Sequence, residues 1–366
     1  VLPEETWLEN PDGECWSLAS DLIHPFASND LEKSDLDGLM KVALNFPIEL
    51  VELEGGLYVL ELFHGPTAAF KDVGARSMAR LLGTFSDRRL TVLVATSGDT
   101  GSAVAQGFLN VPNIDVVILY PSGRISAIQE QQLTTAGANV TALEVLGNFD
   151  DCQRMVKEAF LDAGLREQRA LTSANSINVA RWIPQGAYYA WATYLLGEAA
   201  HFVVPSGNLG NLAAGVLAHR MGMPAAGFTA ASNANDGVPA YLRTGTFHPR
   251  PTVATLSNAM DVGDPSNLPR LDALFGNRFE AMQAGVQGFT ADDAATEAAM
   301  RHAWERYGYL ACPHTSIGIA AAEGRRGNAP VVALATAHPA KFGSAVEAVT
   351  GVAPEIPVAL EECLRR

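Results

Sequence analysis

Lys71 ends the segment Leu62-Phe63-His64-Gly65-Pro66-Thr67-Ala68-Ala69-Phe70-Lys71-Asp72, an apolar turn that carries a proline and opens into a helix. Its neighbours Phe63, Ala68, Ala69 and Phe70 set it apart from a surface lysine, and burial of an ammonium disfavours the charged form. A neutral amine is a nucleophile, and its commonest use is a Schiff base with a carbonyl cofactor. A lysine that snorkels at a helix start is the competing reading, and this segment alone does not separate the two.

Two loops elsewhere bear on that choice. The β-branched run Thr91–Ala95 leads into Thr96-Ser97-Gly98-Asp99-Thr100-Gly101-Ser102 and the helical stretch Ala103–Leu109. Phe202-Val203-Val204 leads into Pro205-Ser206-Gly207-Asn208-Leu209-Gly210-Asn211 and the helical stretch Leu212–Arg220. Each reads as strand, loop of glycines and hydroxyls or amides, and helix, so that backbone N–H groups and a helix N-terminus can face an anion without an intervening Cβ. Neither matches Gly-x-Gly-x-x-Gly or a P-loop ending in Gly-Lys-Ser/Thr, so dinucleotide and nucleoside triphosphate binding are not indicated. Ordinary turns also use glycine and asparagine, but a buried lysine together with two anion loops is more than turn chemistry requires.

With Ser173-Ala174-Asn175-Ser176-Ile177-Asn178, Leu256-Ser257-Asn258-Ala259-Met260-Asp261-Val262 and Thr336-Ala337-His338-Pro339-Ala340-Lys341-Phe342, these segments make six motifs in order over most of the chain. In that order the chain resembles the threonine synthases, pyridoxal 5′-phosphate (PLP) enzymes that convert O-phospho-L-homoserine and water to L-threonine and phosphate. The resemblance implies an α/β fold of two open, mostly parallel sheet lobes of the PLP fold type II, as in tryptophan synthase β, with a short N-terminal helical piece. It further implies PLP as cofactor and O-phospho-L-homoserine as the small-molecule substrate.

What the resemblance implies for individual residues can be weighed against simpler structural roles. Lys71 would hold the cofactor and shuttle protons from one position, with the departing phosphate as a second candidate base. Ser206, Gly207, Asn208, Leu209, Gly210 and Asn211 would cradle the cofactor's phosphate, where the alternative is a helix cap with turn glycines. Ser97, Gly98 and Thr100 would hold the substrate carboxylate, with Asp99 near the cofactor's ring oxygen. An aspartate beside a phenolate oxygen is repulsive unless a proton lies between them, and capping of the following helix is the alternative for Asp99. Thr336 would set a neutral hydroxyl against the pyridine nitrogen, giving a weaker electron sink than an acid there; capping of the helix near Pro339 is its alternative. Arg124, Ser176, Asn178 and Arg181 would receive the substrate phosphate, since a guanidinium fork suits phosphate oxygens, although relatives often carry lysine at the position of Arg124. His64, His314 and His338 lie in matched motifs but read as structural residues.

Composition sets the remaining bounds. A chain of 366 residues with 48% hydrophobic and 18% charged residues is long enough for two compact units. A net charge of −15 argues against a nucleic-acid partner. It also opposes encounter with a phosphate monoester, so the site must supply its own positive charge. Apolar runs fall short of a bilayer span and no basic-then-apolar leader precedes them, which predicts a soluble, cytoplasmic protein. Cys15, Cys152, Cys312 and Cys363 show no metal-binding spacing and read as reduced thiols, and no metal site is indicated.

Residues 1–45 are expected to form the N-terminal helical piece, with a helix within Leu31–Leu44; 46–88 and 167–366 a large PLP-binding lobe; and 89–166 a small mobile lobe. A strand over Leu57–Leu62 and a helix over Asp72–Leu82 would carry the lysine, while Thr91–Ala95, Val116–Tyr120 and Thr141–Leu146 follow a β-α-β rhythm that implies a parallel sheet. Val331–Ala335 is expected as a further strand, and ligands in such sheets lie at the carboxyl ends of strands, where the motif loops fall. Members of the family usually carry ~30 further residues before a Leu-Pro like Leu2-Pro3, a piece that would add an edge element; a start at Val1 without methionine implies that such a stretch is missing. The C-terminal end at 354–366 also stops earlier than in some relatives. A phospholyase that releases 2-oxobutyrate, phosphate and ammonia would keep the same motifs, and a non-catalytic PLP or protein binder is disfavoured by the intact Lys71.

Overall fold

The computed structural model describes all residues except 1, 3, 4, 11, 86, 87, 328, 365 and 366. Val1, Pro3 and Arg366, at the ends of the terminal segments considered above, lie outside the described residues. The strands are β1 (Glu49–Glu54), β2 (Leu57–Glu61), β3 (Leu90–Ala95), β4 (Ile114–Pro121), β5 (Val140–Val145), β6 (Ala170–Ser173), β7 (Ala200–Pro205), β8 (Ala225–Ser232), β9 (Val286–Thr290) and β10 (Val331–Ala335). They form a six-stranded sheet in the order β1-β2-β10-β7-β8-β9 and a four-stranded sheet in the order β5-β4-β3-β6. Only the β1–β2 pair is antiparallel among them.

The apolar composition of the inner strands follows from this topology, because helices cover both faces of a parallel sheet. Val92 and Val94 of β3 enter one core with Val104, Phe108, Val116 and Ile118. Leu93 and Ala95 of the same strand enter another with Leu119, Cys152 and Val156. β10 is buried at all five positions. The helices Cys15–Ala27 and Lys33–Ala43 form the expected N-terminal piece, and Leu18, Leu22, Leu36 and Met40 pack into the large-sheet core beside Tyr188 and Tyr189.

The Lys71–Phe85 helix lies between the two sheets. Its Val73 and Leu81 belong to the large-sheet core, whereas Ala75, Met78 and Ala79 belong to the small-sheet core. Small residues on that face let the sheets approach, and the cleft between them opens at the helix start, where Lys71 stands.

Two expectations need correction. The chain turns at Gly55 and Gly56, both with positive φ, so the strand at Leu57 is the second arm of a hairpin whose first arm, β1, was not anticipated. A Gly-Gly pair between two apolar runs is a hairpin signal. The expected boundary at 166/167 also leaves β6 with the large lobe, but β6 pairs with β3 from Leu90↔Ala170 to Leu93↔Ser173 and completes the small sheet. Cys15, Cys152 and Cys312 are buried free thiols, while the side chain of Cys363 lies outside the described residues. Among the described residues no helix is long and apolar enough to cross a membrane.

Candidate functional site

The carboxyl ends of β3, β7 and β10 converge on one cleft, as open parallel sheets favour. The lysine segment is fixed there by main-chain bonds to the chain after β10. Leu62 N donates to Ala335 O at 3.0 Å, Phe70 N to Thr336 O at 2.9 Å and His338 N to Ala68 O at 3.0 Å. Ala68 takes a left-handed φ of 53°, which turns the chain into the Lys71–Phe85 helix. Asp72, fully buried, accepts Thr67 N at 2.9 Å and Thr67 Oγ1 at 2.7 Å and so closes the turn.

Lys71, Ser97, Asp99, Thr100, Ser176, Arg181, Ser206, Gly207, Asn208, Leu209, Gly210, Asn211 and Thr336 all line the cleft. Gly98, Arg124 and Asn178 do not. Gly98 shapes the loop behind them: its φ of 129° and a Cβ position 2.4 Å from the Gln129 side chain exclude other residues. Arg124 is exposed on the turn after β4 of the four-stranded sheet. Asn178 is committed to main chain, donating to Ser173 O at 3.0 Å and accepting Ala180 N at 3.1 Å as the cap of a short helix.

Electrostatics differ across the cleft. Desolvation pulls the Lys71 ammonium down to about 8, with Arg181 and Lys341 adding to the effect and Asp99 opposing it. Burial alone would raise the Asp99 carboxyl, but the ammonium groups of Lys341 and Lys71 hold it well below the usual range. Desolvation lowers Arg181 to about 10, and its Nε and Nη1 grip Ala174 O at 3.1 Å and Lys71 O at 3.0 Å. Arg181 therefore positions the lysine's own backbone as well as lending charge to the cleft. Burial also lowers His314 and His338 to about 4. His314 Nε2 accepts Ala259 N at 3.2 Å and His338 Nδ1 accepts Ala340 N at 3.2 Å, which are structural roles.

The simpler alternatives can now be tested. His338, not Thr336, caps the turn at Pro339–Phe342. Asp99 occupies the first position of the Asp99–Phe108 helix and makes no capping bond; its Oδ1 accepts Gln129 Nε2 at 2.8 Å and pairs with Lys341 Nζ at 2.7 Å. The Gly210–Arg220 helix starts from Leu209 in a left-handed conformation without a side-chain cap. Its first helical bond is Ala213 N to Leu209 O at 2.9 Å, so the preceding amides have no carbonyl within the helix.

The residues fit a phosphorylated cofactor. Asn211 is 6% exposed, its Oδ1 accepts both Tyr188 and Tyr189 hydroxyls at 2.6 Å, and its buried Nδ2 has no partner. An amide held by one end with its donor unused at an uncapped helix start suits a phosphate oxygen. A Cβ at Gly207 would stand 2.8 Å from Met260 Cα and one at Gly210 would stand 3.0 Å from Ser176 Cβ, so glycine keeps the loop closed down on its support. Gly207→Ala should cost about 1–3 kcal/mol through overpacking against backbone and loosen PLP. Cofactor content after dialysis and Tm would both fall, and unchanged values for both would mean that the loop has slack.

Several residues in the cleft, and Lys341 behind it, escaped the sequence reading. Thr96 Oγ1 accepts Gly98 N at 2.9 Å and Gly101 N at 2.8 Å and organises the loop. Asn175 joins the ends of β3 and β6 through Ala95 N at 3.2 Å and Ala95 O at 2.8 Å. Phe149 and Gln153 enter one turn apart from the Phe149–Leu161 helix, and no local signal marks them. Lys341, 1% exposed, donates to Thr67 O at 2.9 Å as well as pairing with Asp99. Its apolar neighbours Pro339, Ala340 and Phe342 were the available hint.

Comparison with known proteins gives consistent results. The family of pyridoxal-phosphate dependent enzymes matches residues 45–337, and the threonine synthase C-terminal family matches residues 315–366. Threonine synthase of Haemophilus influenzae is 44% identical over 348 residues, covering 93% of this chain and 81% of the relative. The enzyme of that name from Escherichia coli is 42% identical over 348 residues with the same coverages, 93% and 81%. The crystal structure of the Escherichia coli threonine synthase superposes with a TM-score of 0.90 at 40% identity, over 95% of this chain and 82% of that one. The PLP-bound threonine synthase of Brucella melitensis gives 0.90 at 35% identity, over 96% and 84%.

Proposed function

Since the chain belongs to the threonine synthase family of PLP enzymes, we propose that it converts O-phospho-L-homoserine and water to L-threonine and phosphate in the cleft that Lys71 faces. The observation that carries this reading is a lysine with a weakened ammonium opposite an uncapped helix start whose Asn211 donor is unused. Bound there, PLP supplies the electron sink that makes the substrate's α- and β-protons removable.

The chain's own residues then have separable tasks. Lys71 Nζ would hold the cofactor and, when free, take and return protons, and its lowered ammonium favours the neutral amine that such work needs. The loop from Ser206 to Asn211 holds the cofactor's phosphate, and Thr336 offers a neutral hydroxyl to its ring nitrogen. Ser97 and Thr100 hold the substrate carboxylate at the start of the Asp99–Phe108 helix. Arg181 and Ser176 face the leaving phosphate. Asn178 supports them through the main chain, and Arg124, on the turn after β4 of the smaller sheet, joins them when the lobes close. We propose the two sheets as lobes, with β6 in the smaller, that close over the substrate and keep bulk water from the product-forming step.

Incubation with O-phospho-L-homoserine should release phosphate and L-threonine in equal amounts. Phosphate accompanied by 2-oxobutyrate and ammonia in place of threonine would identify a phospholyase. Thr100→Ala should uncouple carboxylate binding from closure, lowering threonine and raising the 2-oxobutyrate fraction. An unchanged product ratio with weaker substrate binding would make this loop an anchor only.

A further inference from the structure

Asp99 meets a second lysine, which the roles above do not use. Lys341 lies in the turn after β10, is buried with a fully enclosed side chain, and places Nζ 2.7 Å from Asp99 Oδ1 and 2.9 Å from Thr67 O. The same Asp99 oxygen accepts Gln129 Nε2 at 2.8 Å, and Gln129 is held in turn by the capping box of the Ala127–Thr134 helix with Ser126. Thr67 is pinned by Asp72, next to Lys71. A chain of short contacts thus runs from the lysine segment through Lys341 to the small-sheet loop that faces the cleft.

Lys341 bears on the unresolved charge problem at Asp99. A bare carboxylate beside the cofactor's ring oxygen is repulsive, and one beside Lys71 acts as a counter-ion that keeps that amine protonated. A separate buried ammonium on the same carboxylate weakens both effects, and its charge offsets the pull that Asp99 exerts on Lys71. We propose that Lys341 is a positioning residue whose charge fixes Asp99 in place and neutralises it, leaving the Lys71 amine without a dedicated counter-ion. Among the described residues, the other charged and titratable groups around this cluster are Asp72, Arg181, Cys312, His314 and His338. The two histidines are neutral structural acceptors, the Cys312 thiol is raised by burial, Asp72 is held by Thr67, and the Arg181 guanidinium is committed to the carbonyls of Ala174 and Lys71, so none of them replaces Lys341 beside Asp99.

This inference rests on the reading of Lys71 as the cofactor's anchor, and the test separates the two. In the PLP-loaded protein, the pH midpoint of the lysine-bound chromophore's absorbance is measured. Removing a nearby positive charge raises such a midpoint, so Lys341→Met should move it up by about one pH unit or more, and Asp99→Asn should move it down. The double variant Asp99→Asn/Lys341→Met, again neutral, should return close to the parent, and Lys341→Arg should stay near it. A parental midpoint in Lys341→Met, or an equal shift in Lys341→Arg and Lys341→Met, would overturn the proposal in favour of packing. If Lys341→Met fails to fold, recovery of a folded protein in the double variant supports the charge argument, and failure of both overturns it. A parent without any lysine-bound chromophore would overturn the anchor reading as well.

Discussion

Lys71→Ala should lower threonine formation by about 100- to 10,000-fold, the range expected when a positioned acid–base group is lost. It should do so without unfolding the chain. Alanine is the best helix former, and the main-chain bonds that fix the segment, Phe70 N to Thr336 O and His338 N to Ala68 O, do not involve the side chain. The Gly207–Asn211 loop and the Asn211 donor remain in place, so the variant should still take up PLP, though more weakly and without the covalent link. A small primary amine added to the solution should restore a fraction of the rate. Activity within tenfold of the parent would assign the proton work elsewhere, and Lys341 is the alternative in reach of Asp99.

Arg181→Ala should raise the half-saturating substrate concentration tens- to hundreds-fold, since losing a desolvated charged contact costs on the order of 2–4 kcal/mol. The structure adds a second effect. Arg181 is 2% exposed and its Nε and Nη1 hold the carbonyls of Ala174 and Lys71, so its removal takes a charged donor from each. Tm should fall, and Arg181→Lys should recover charge but not both bonds, giving intermediate substrate affinity and a Tm still below the parent. Released PLP with unchanged substrate affinity would mean that the two anion sites have been exchanged.

The parts of the site legible in the sequence are those fixed by local chemistry. A lysine behind Phe63, Ala68, Ala69 and Phe70 is drawn partly out of water when the segment packs, and glycines with hydroxyls or amides after a β-branched run leave helix N–H groups open to an anion. Both features recur in the structure as read. What failed to show depends on contacts between distant segments. Lys341 donates to Thr67, 274 residues away, and nothing in either segment alone requires the pairing. Arg124 was read from its charge and its place after β4, and the structure sets it exposed on that turn, outside the cleft lining. Asn178 was read for its side-chain chemistry, which local capping had already claimed. In the fold, β6 was assigned to the wrong sheet because sequence order places it after the small-lobe helices, whereas strand pairing follows the register with β3.

The identity of the cofactor's lysine is the most exposed point of the account, because a half-buried lysine, Lys71, and a buried one, Lys341, both interact with Asp99. Borohydride reduction of the PLP-loaded protein, followed by peptide mapping, reads that identity directly. The pyridoxyl group is predicted on Lys71, in the peptide that contains Phe70 and Asp72. A pyridoxyl group on Lys341 would contradict the account, since the residue assigned as the counter-charge would then be the anchor.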